Sequence, residues 1–401
     1  MKKQIVGWII GLLLIVVLGQ SALAQQYPPM EMGVNVNERP HWLKKDLLEL
    51  SQTTWVRAFI EFSHYVKGQR DMKNDMRVRH LKSVAEDGYK VVLSIKWNLN
   101  EAGWRIPEPG SSREQDWLRF TTDLLNELEG DISILVLVNE ITIDTPEKDL
   151  QPIENGEIPF VRFQKRLLDH ISQLKPKNPD GNPLPIYTGG FTRLDKQELQ
   201  DHPVNRAMFK WINEDDRLTG ADYHIHQPDY KTSMESSNFI RKQIPEKPLI
   251  VTEFSFVWKW KAHLGDRIGA TDGGRKFAEK YGIDSDITVA DYCTRTFADR
   301  VPENQWHDFL KSQSWYEPDY LDILGRMMER HGVVVATYAF TQNPEGGGAR
   351  NITPESNPWF MHQILMPQNV YVPNSDRTAI NYGMHESFVR WQRVTNTLKV
   401  E

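Results

Sequence analysis

Two glutamates, Glu140 and Glu253, each stand at the end of an apolar run, where a carboxyl is placed to move a proton or attack an electrophile. Residues Leu135 to Val138 are apolar without a polar break, then give way to Asn139 and Glu140; far down the chain, Pro248 to Val251 run through Thr252 into Glu253. An unalternating apolar run reads as a strand buried on both faces, as in a parallel sheet. One strand-end glutamate is most simply a salt bridge or a loop anchor. Two of them supply what cleavage of a glycosidic bond asks for: one carboxyl to protonate the leaving oxygen and another to attack or to activate water. A separation of about 5 Å would mean retention through a covalent intermediate, and a wider one inversion.

Other residues join this pair if strand alternation is respected. Arg57, in the run from Trp55 to Phe62, shares a face with Trp55 and Phe59; facing inward, it would hold a carboxylate ionised, whereas facing outward it would pair with an acid on a helix. His224 and His226 alternate and therefore share one face. They could contact substrate, serve as structural hydrogen-bonding groups or bind zinc, but no third ligand stands at an obvious metal-site spacing. Trp97, Trp104, Trp258 and Trp260 fall at or after strand ends, where an indole face could stack on a sugar ring or simply fill the core. Glu61, Glu101 and Glu108 are spare carboxylates expected on the same side.

The elements that must position these groups alternate. Strands are expected at Gly33–Asn37, Trp55–Phe62, Lys90–Trp97, Leu135–Glu140, Pro185–Phe191, Ala221–His226, Pro248–Phe254 and Val333–Phe340, with helical spacing of apolar residues between most of them, as in Phe160, Phe163, Leu167, Leu168 and Ile171. Such units, roughly 40 residues apart, predict an α/β fold of the (β/α)8 TIM-barrel type. A doubly wound sheet would alternate in the same way, but no glycine-rich phosphate loop follows any strand. The rhythm breaks at 260–315, a long insertion after strand seven, read either as a cleft-shaping loop or as a surface helical insertion. The tail after Pro367 reads as a return across the barrel, so residues 25–401 are expected to form one catalytic domain.

At this point a family resemblance can be stated. Asn139-Glu140 closing the fourth strand and Glu253 closing the seventh resemble glycoside hydrolase clan A, the 4/7 superfamily, and the strand pattern extends the likeness over nearly the whole chain. The resemblance implies a retaining β-glycosidase without cofactor, with Glu140 as general acid/base, Glu253 as nucleophile and Asn139 bonding the sugar 2-hydroxyl. It also implies that Arg57 bonds the nucleophile and that His224 or His226 contacts substrate or nucleophile. Two departures matter. The tyrosine that such enzymes usually place beside the nucleophile has only Tyr223 as a counterpart, one residue out of phase. A tryptophan common at the end of strand eight is replaced by Thr337 to Phe340, which leaves Trp258 or another loop residue as the floor of the sugar site.

Composition narrows the partners. The chain has 401 residues with a formal charge of −6 and no basic run, which disfavours nucleic acid; its 13 tryptophans suit a poly- or oligosaccharide. An acidic glycan is not excluded, since Lys96, Arg105 and Lys259 could line the cleft. Lys2 and Lys3, the apolar run Ile5 to Leu18 and Ala22-Leu23-Ala24 read as a secretory signal peptide over 1–24, cut after Ala24, so a secreted or periplasmic bacterial protein is expected, with no membrane association after cleavage. Cys293, the one cysteine, has no histidine or glycine elbow nearby and reads as ordinary helix.

Overall fold

The computed structural model describes residues 27–342 and 351–398, so the leader lies outside the described residues. Eight strands close into an all-parallel barrel: β1 (Glu31–Asn35), β2 (Trp55–Glu61), β3 (Lys90–Lys96), β4 (Ile134–Val136), β5 (Ile186–Phe191), β6 (Gly220–Tyr223), β7 (Leu249–Val251) and β8 (Val333–Ala339), with β8 pairing back onto β1. The expected (β/α)8 TIM barrel is the observed fold.

Helices follow the strands: α1 (Lys45–Ser51), α2 (Met76–Glu86), α3 (Ser112–Glu127), α4 (Pro159–Leu174), α5 (Pro203–Glu214) and α6 (Tyr230–Gln243). Local chemistry sets their ends. The hydroxyl of Ser111 accepts the Glu114 backbone N–H to cap α3, and Gly88, at φ 91°, supplies the left-handed turn between α2 and β3. Proline at the first turn of α4 starts a helix whose residues Phe160, Phe163, Leu167, Leu168 and Ile171 are all buried against the barrel.

The insertion after β7 resolves as helical. It comprises α7 (Asp272–Tyr281), α8 (Val289–Ala298) and α9 (Glu303–Ser312), before α10 (Tyr320–Arg330) leads into β8. Cys293 is fully buried within α8, where burial pushes its thiol up, the opposite of an activated nucleophile. The tail does return: α11 (Met384–Leu398) packs on α10 and β1, with the Trp391 and Gln392 side chains donating to the Met30 and Met32 carbonyls. Among the described residues no helix is long and apolar enough to cross a membrane.

The barrel interior is filled by Trp55, Val92, Ile134, Val136, Tyr187, Ile250 and Val335. Strand parity then decides what lies nearer the C-terminal mouth. Laterally paired residues of a parallel sheet point the same way, so Phe59 with Ser94, and Glu61 with Lys96, share faces. β4 and β7 end earlier than the strands expected from the sequence, leaving Leu137–Glu140 and Thr252–Glu253 as irregular backbone at the mouth.

Candidate active site

Glu140 and Glu253 both reach the mouth, each about one-sixth exposed. The backbone that delivers them is held tightly. Gly190, at φ 54°, passes so close to the strand-four end that a Cβ there would lie 1.1 Å from the Asn139 carbonyl oxygen. Only glycine fits, and its small size sets how Asn139 and Glu140 leave β4. Beyond the β6 end, Ile225–His226 pair in parallel with Phe254–Ser255, fixing the two residues that follow Glu253.

Arg57 lies fully buried beneath the site and spends its donors on it. Its Nη1 meets Glu253 Oε1 at 2.7 Å and Asn35 Oδ1 at 3.1 Å, Nη2 donates to Asn139 Oδ1 at 2.6 Å, and Nε to Ser94 Oγ at 3.2 Å. One rigid guanidinium thus fixes the carboxylate of one strand end and the amide of another. Burial pushes the Glu253 carboxyl up, but Arg57, His224 and His226 outweigh it and hold the group well below the usual range, as an anion. The second oxygen of Glu253, Oε2, lies 3.5 Å from His226 Nε2, while His226 Nδ1 is 2.8 Å from Ser255 Oγ. Glu253 therefore has a histidine neighbour where the resemblance implies a tyrosine. Tyr223 points the other way, its hydroxyl 3.0 Å from Ser237 on α6.

His224 serves the other carboxyl. Its Nδ1 lies 3.1 Å from Glu140 Oε1, its Nε2 3.0 Å from Thr252 Oγ1, and the Thr252 hydroxyl donates to Asp222 Oδ2 at 2.7 Å. Burial alone would drive the imidazole neutral, yet Glu253, Asp222 and Glu140 together raise it to about 10. As imidazolium it donates from both nitrogens, one toward Glu140 and one toward Thr252.

Glu140, His224 and His226 each present a ligand atom, all within 4.8 Å of one another. The third ligand that sequence spacing did not show is thus present in space, 84 residues away from His224. A ligating imidazole must be neutral, whereas Glu253, Asp222 and Glu140 favour the protonated form of His224.

The aromatic expectations divide. Trp97 is not at the site. It is 1% exposed, stacks on Trp117, lies tilted against Phe62, and donates its indole N–H to the Leu137 carbonyl at 2.8 Å. The reason is parity: Lys96 faces inward beside Glu61, so the next residue faces the helix layer. Trp260 is likewise buried, while Trp104 is half-buried against Phe62 and Trp117. Trp258 is half-buried at the mouth, its ring 6.4 Å from that of Trp359. Trp359 is the aromatic that sequence reading missed. It comes from the segment after β8 and stands edge-on to His226 at 5.3 Å. Its signal was available, since any segment following a barrel strand opens on this face.

The spare charges are mostly engaged. Arg105 makes a two-pronged contact with Asp149 at 2.8 and 2.7 Å, and Lys259 pairs with Glu317. Burial lowers the Lys96 ammonium, but Asp144, Glu61, Glu253 and Glu140 more than restore it. Glu61 faces His64 and Arg70, whereas Glu101 and Glu108 are exposed.

With the geometry in hand, known proteins can be compared. No family model matches the chain, and no curated protein matches it. Solved structures to which it is similar are glycoside hydrolases. A family 39 glycoside hydrolase from the gut symbiont Bacteroides cellulosilyticus WH2 has TM-score 0.47 and 14% identity, over 94% of this chain and 65% of that one. This chain therefore spans just under two thirds of that protein's length. A GH10 xylanase from Bispora sp. MEY-1 gives 0.49 and 8%, over 93% and 99% of the two chains. A GH5 cellulase from an Icelandic hot spring isolate gives 0.45 and 10%, over 91% and 89%.

Proposed function

We propose that this protein is a secreted, retaining β-glycoside hydrolase that cleaves a poly- or oligosaccharide by double displacement. The observation that carries the reading is the unlike treatment of two carboxyls at one barrel mouth. Glu253 is clamped as an anion by Arg57, and Glu140 stands apart from that clamp on His224. In the first step Glu253 attacks the anomeric carbon while Glu140 gives its proton to the departing oxygen, and the glycosidic C–O bond breaks. Glu140 is then an anion beside His224 and serves as the base for the second step. There it takes a proton from water as that water attacks the anomeric carbon and releases Glu253. No cofactor enters either step. Asn139, its carbonyl oxygen fixed by Arg57, presents its amide nitrogen toward the sugar 2-hydroxyl, and Trp359 with Trp258 supplies apolar surface for the ring.

An uncharged glycan fits better than an acidic one. Arg105, Lys259 and Lys96, the cations that the sequence offered for a substrate carboxylate or sulfate, already face carboxylates of the protein. The leader pattern over 1–24 supports export, and a mature N-terminus at Gln25 on the exported protein would test it.

The deciding experiment is hydrolysis of a panel of neutral and acidic glycans by the protein and by Glu140→Gln and Glu253→Gln. Losses of about 10³-fold or more in both variants are expected. The first-formed anomer, followed by proton NMR, should keep the β configuration. Equal activity of variants and parent would end the two-carboxyl reading. A second reading, a metal-dependent hydrolase, is favoured only by the Glu140, His224 and His226 grouping; it requires loss of activity in chelator, where none is expected.

A further inference from the structure

A third carboxylate sits behind the strand-four end. Asp144 closes the single helical turn Ile141–Asp144 that begins right after Glu140, and its backbone N–H bonds the Glu140 carbonyl at 2.8 Å. Its side chain is turned inward and is 6% exposed. Among the described residues no cation lies within ion-pair distance of it; the ammonium of Lys96, from β3, is the positive group whose field reaches it. A buried carboxylate without a close cation is costly to keep, so what it touches matters. It touches the Asn139 amide nitrogen, which donates to Asp144 Oδ2 across a long 3.5 Å hydrogen bond.

Asn139 is therefore gripped at both ends. Arg57 has only donors to offer, so it takes the carbonyl oxygen, and Asp144 as a carboxylate has only acceptors, so it takes the nitrogen. The flipped amide would set donor against donor and acceptor against acceptor. One N–H of the amide is used on Asp144, and among the described residues the second has no protein partner.

We propose that Asp144 is a positioning residue for the catalytic strand end: it fixes the Asn139 amide with its free N–H toward the sugar 2-hydroxyl. What the amide is aimed at rests on the glycosidase reading; the grip itself does not. The charged groups facing Asp144 are Lys96, across from β3, and Glu140, on its own turn. Burial, reinforced by Glu140 and opposed by Lys96, lifts its carboxyl to about 6, which makes its charge readable in an accessible pH range.

The test has two arms on the full chain. In the first, the Asn139 side-chain amide is followed by 15N NMR between pH 4.5 and 8, assigned by its loss in Asn139→Ser. A shift with a midpoint near 6 is expected in the parent and should vanish in Asp144→Asn, which keeps an acceptor oxygen but cannot ionise. An amide indifferent to pH, or one titrating unchanged in Asp144→Asn, overturns the proposal whatever the enzyme acts on. In the second, Asp144→Asn and Asp144→Ala are compared on the aryl β-glycoside cleaved best and on its 2-deoxy counterpart. Asp144→Asn should stay within about threefold of the parent. Asp144→Ala should lose about 10- to 100-fold in kcat/KM on the 2-hydroxy substrate and much less on the 2-deoxy one. Equal losses on both would mark a merely structural role and also overturn it. Failure of the glycosidase reading would instead show as unimpaired Glu253→Gln, with the NMR arm unaffected.

Discussion

Replacing His224 with glutamine tests the electrostatics of the site without touching either proposed catalytic carboxyl. A group raised in the folded state binds its proton more tightly there than in the unfolded chain, so its contribution to stability is full below the unfolded value and disappears as pH rises through the folded one. For His224 that window runs from an unfolded value of 6.5 to a folded value of about 10. Within it the native protein holds one proton that the unfolded chain has released, and unfolding free energy should fall by about 1.4 kcal/mol per pH unit. Between pH 7 and 9 the parent should therefore lose about 3 kcal/mol from this group. Glutamine cannot titrate, so in His224→Gln that component is absent. The assay is urea denaturation at half-unit pH steps, reported as parent minus variant so that other titrating groups cancel. A difference that falls steadily from pH 7 to 9 supports an imidazolium held by Glu253, Asp222 and Glu140. A flat difference would refute it and would restore a neutral His224, with the metal reading that a neutral ring permits.

Other consequences are simpler to check. Gly190→Ala would drive a methyl group into the Asn139 carbonyl, so a stability loss of more than about 3 kcal/mol is expected by thermal or chemical denaturation, with activity lost in whatever remains folded. Arg57→Lys keeps a charge but cannot hold Glu253 and Asn139 together; activity should drop about 100-fold or more, and the acid limb of the pH profile should move to higher pH as Glu253 loses its strongest stabilising partner. Trp359→Ala should raise KM for oligosaccharides by about tenfold with a smaller change in stability, whereas Trp97→Ala should cost about 3–5 kcal/mol of stability and leave KM of the folded fraction unchanged.

Much of this site was legible because it depends on short-range pattern. An apolar run ending in a carboxylate needs only a few residues to be recognised, and Glu140 and Glu253 were found that way. Alternation put Arg57 on one face with Trp55 and Phe59, and His224 with His226 on another; closure of the barrel turned the Arg57 face inward. The same parity argument, applied from Arg57 through the β2–β3 pairing, would have turned Trp97 outward, but it needs the register between strands, which no local pattern states. Asp222, Thr252, Ser94 and Asp144 were passed over since small or singly charged residues give no periodic signal until their partners are known.

The sequence by itself determined the alternation of buried strands and amphipathic helices, hence the barrel, and it determined which two carboxyls its strand ends display. Only the tertiary structure decided who stands beside them. His226 as the neighbour of Glu253, His224 on Glu140, Trp359 edge-on to His226 and Asp144 behind Asn139 each join residues from different turns of the chain or from irregular backbone. Strand and helix identity follows from spacing over a few residues, which the chain carries locally. The pairing of charges at the barrel mouth depends on closure of β8 onto β1 and on where β4 and β7 stop short, and these are set by packing of the whole ring.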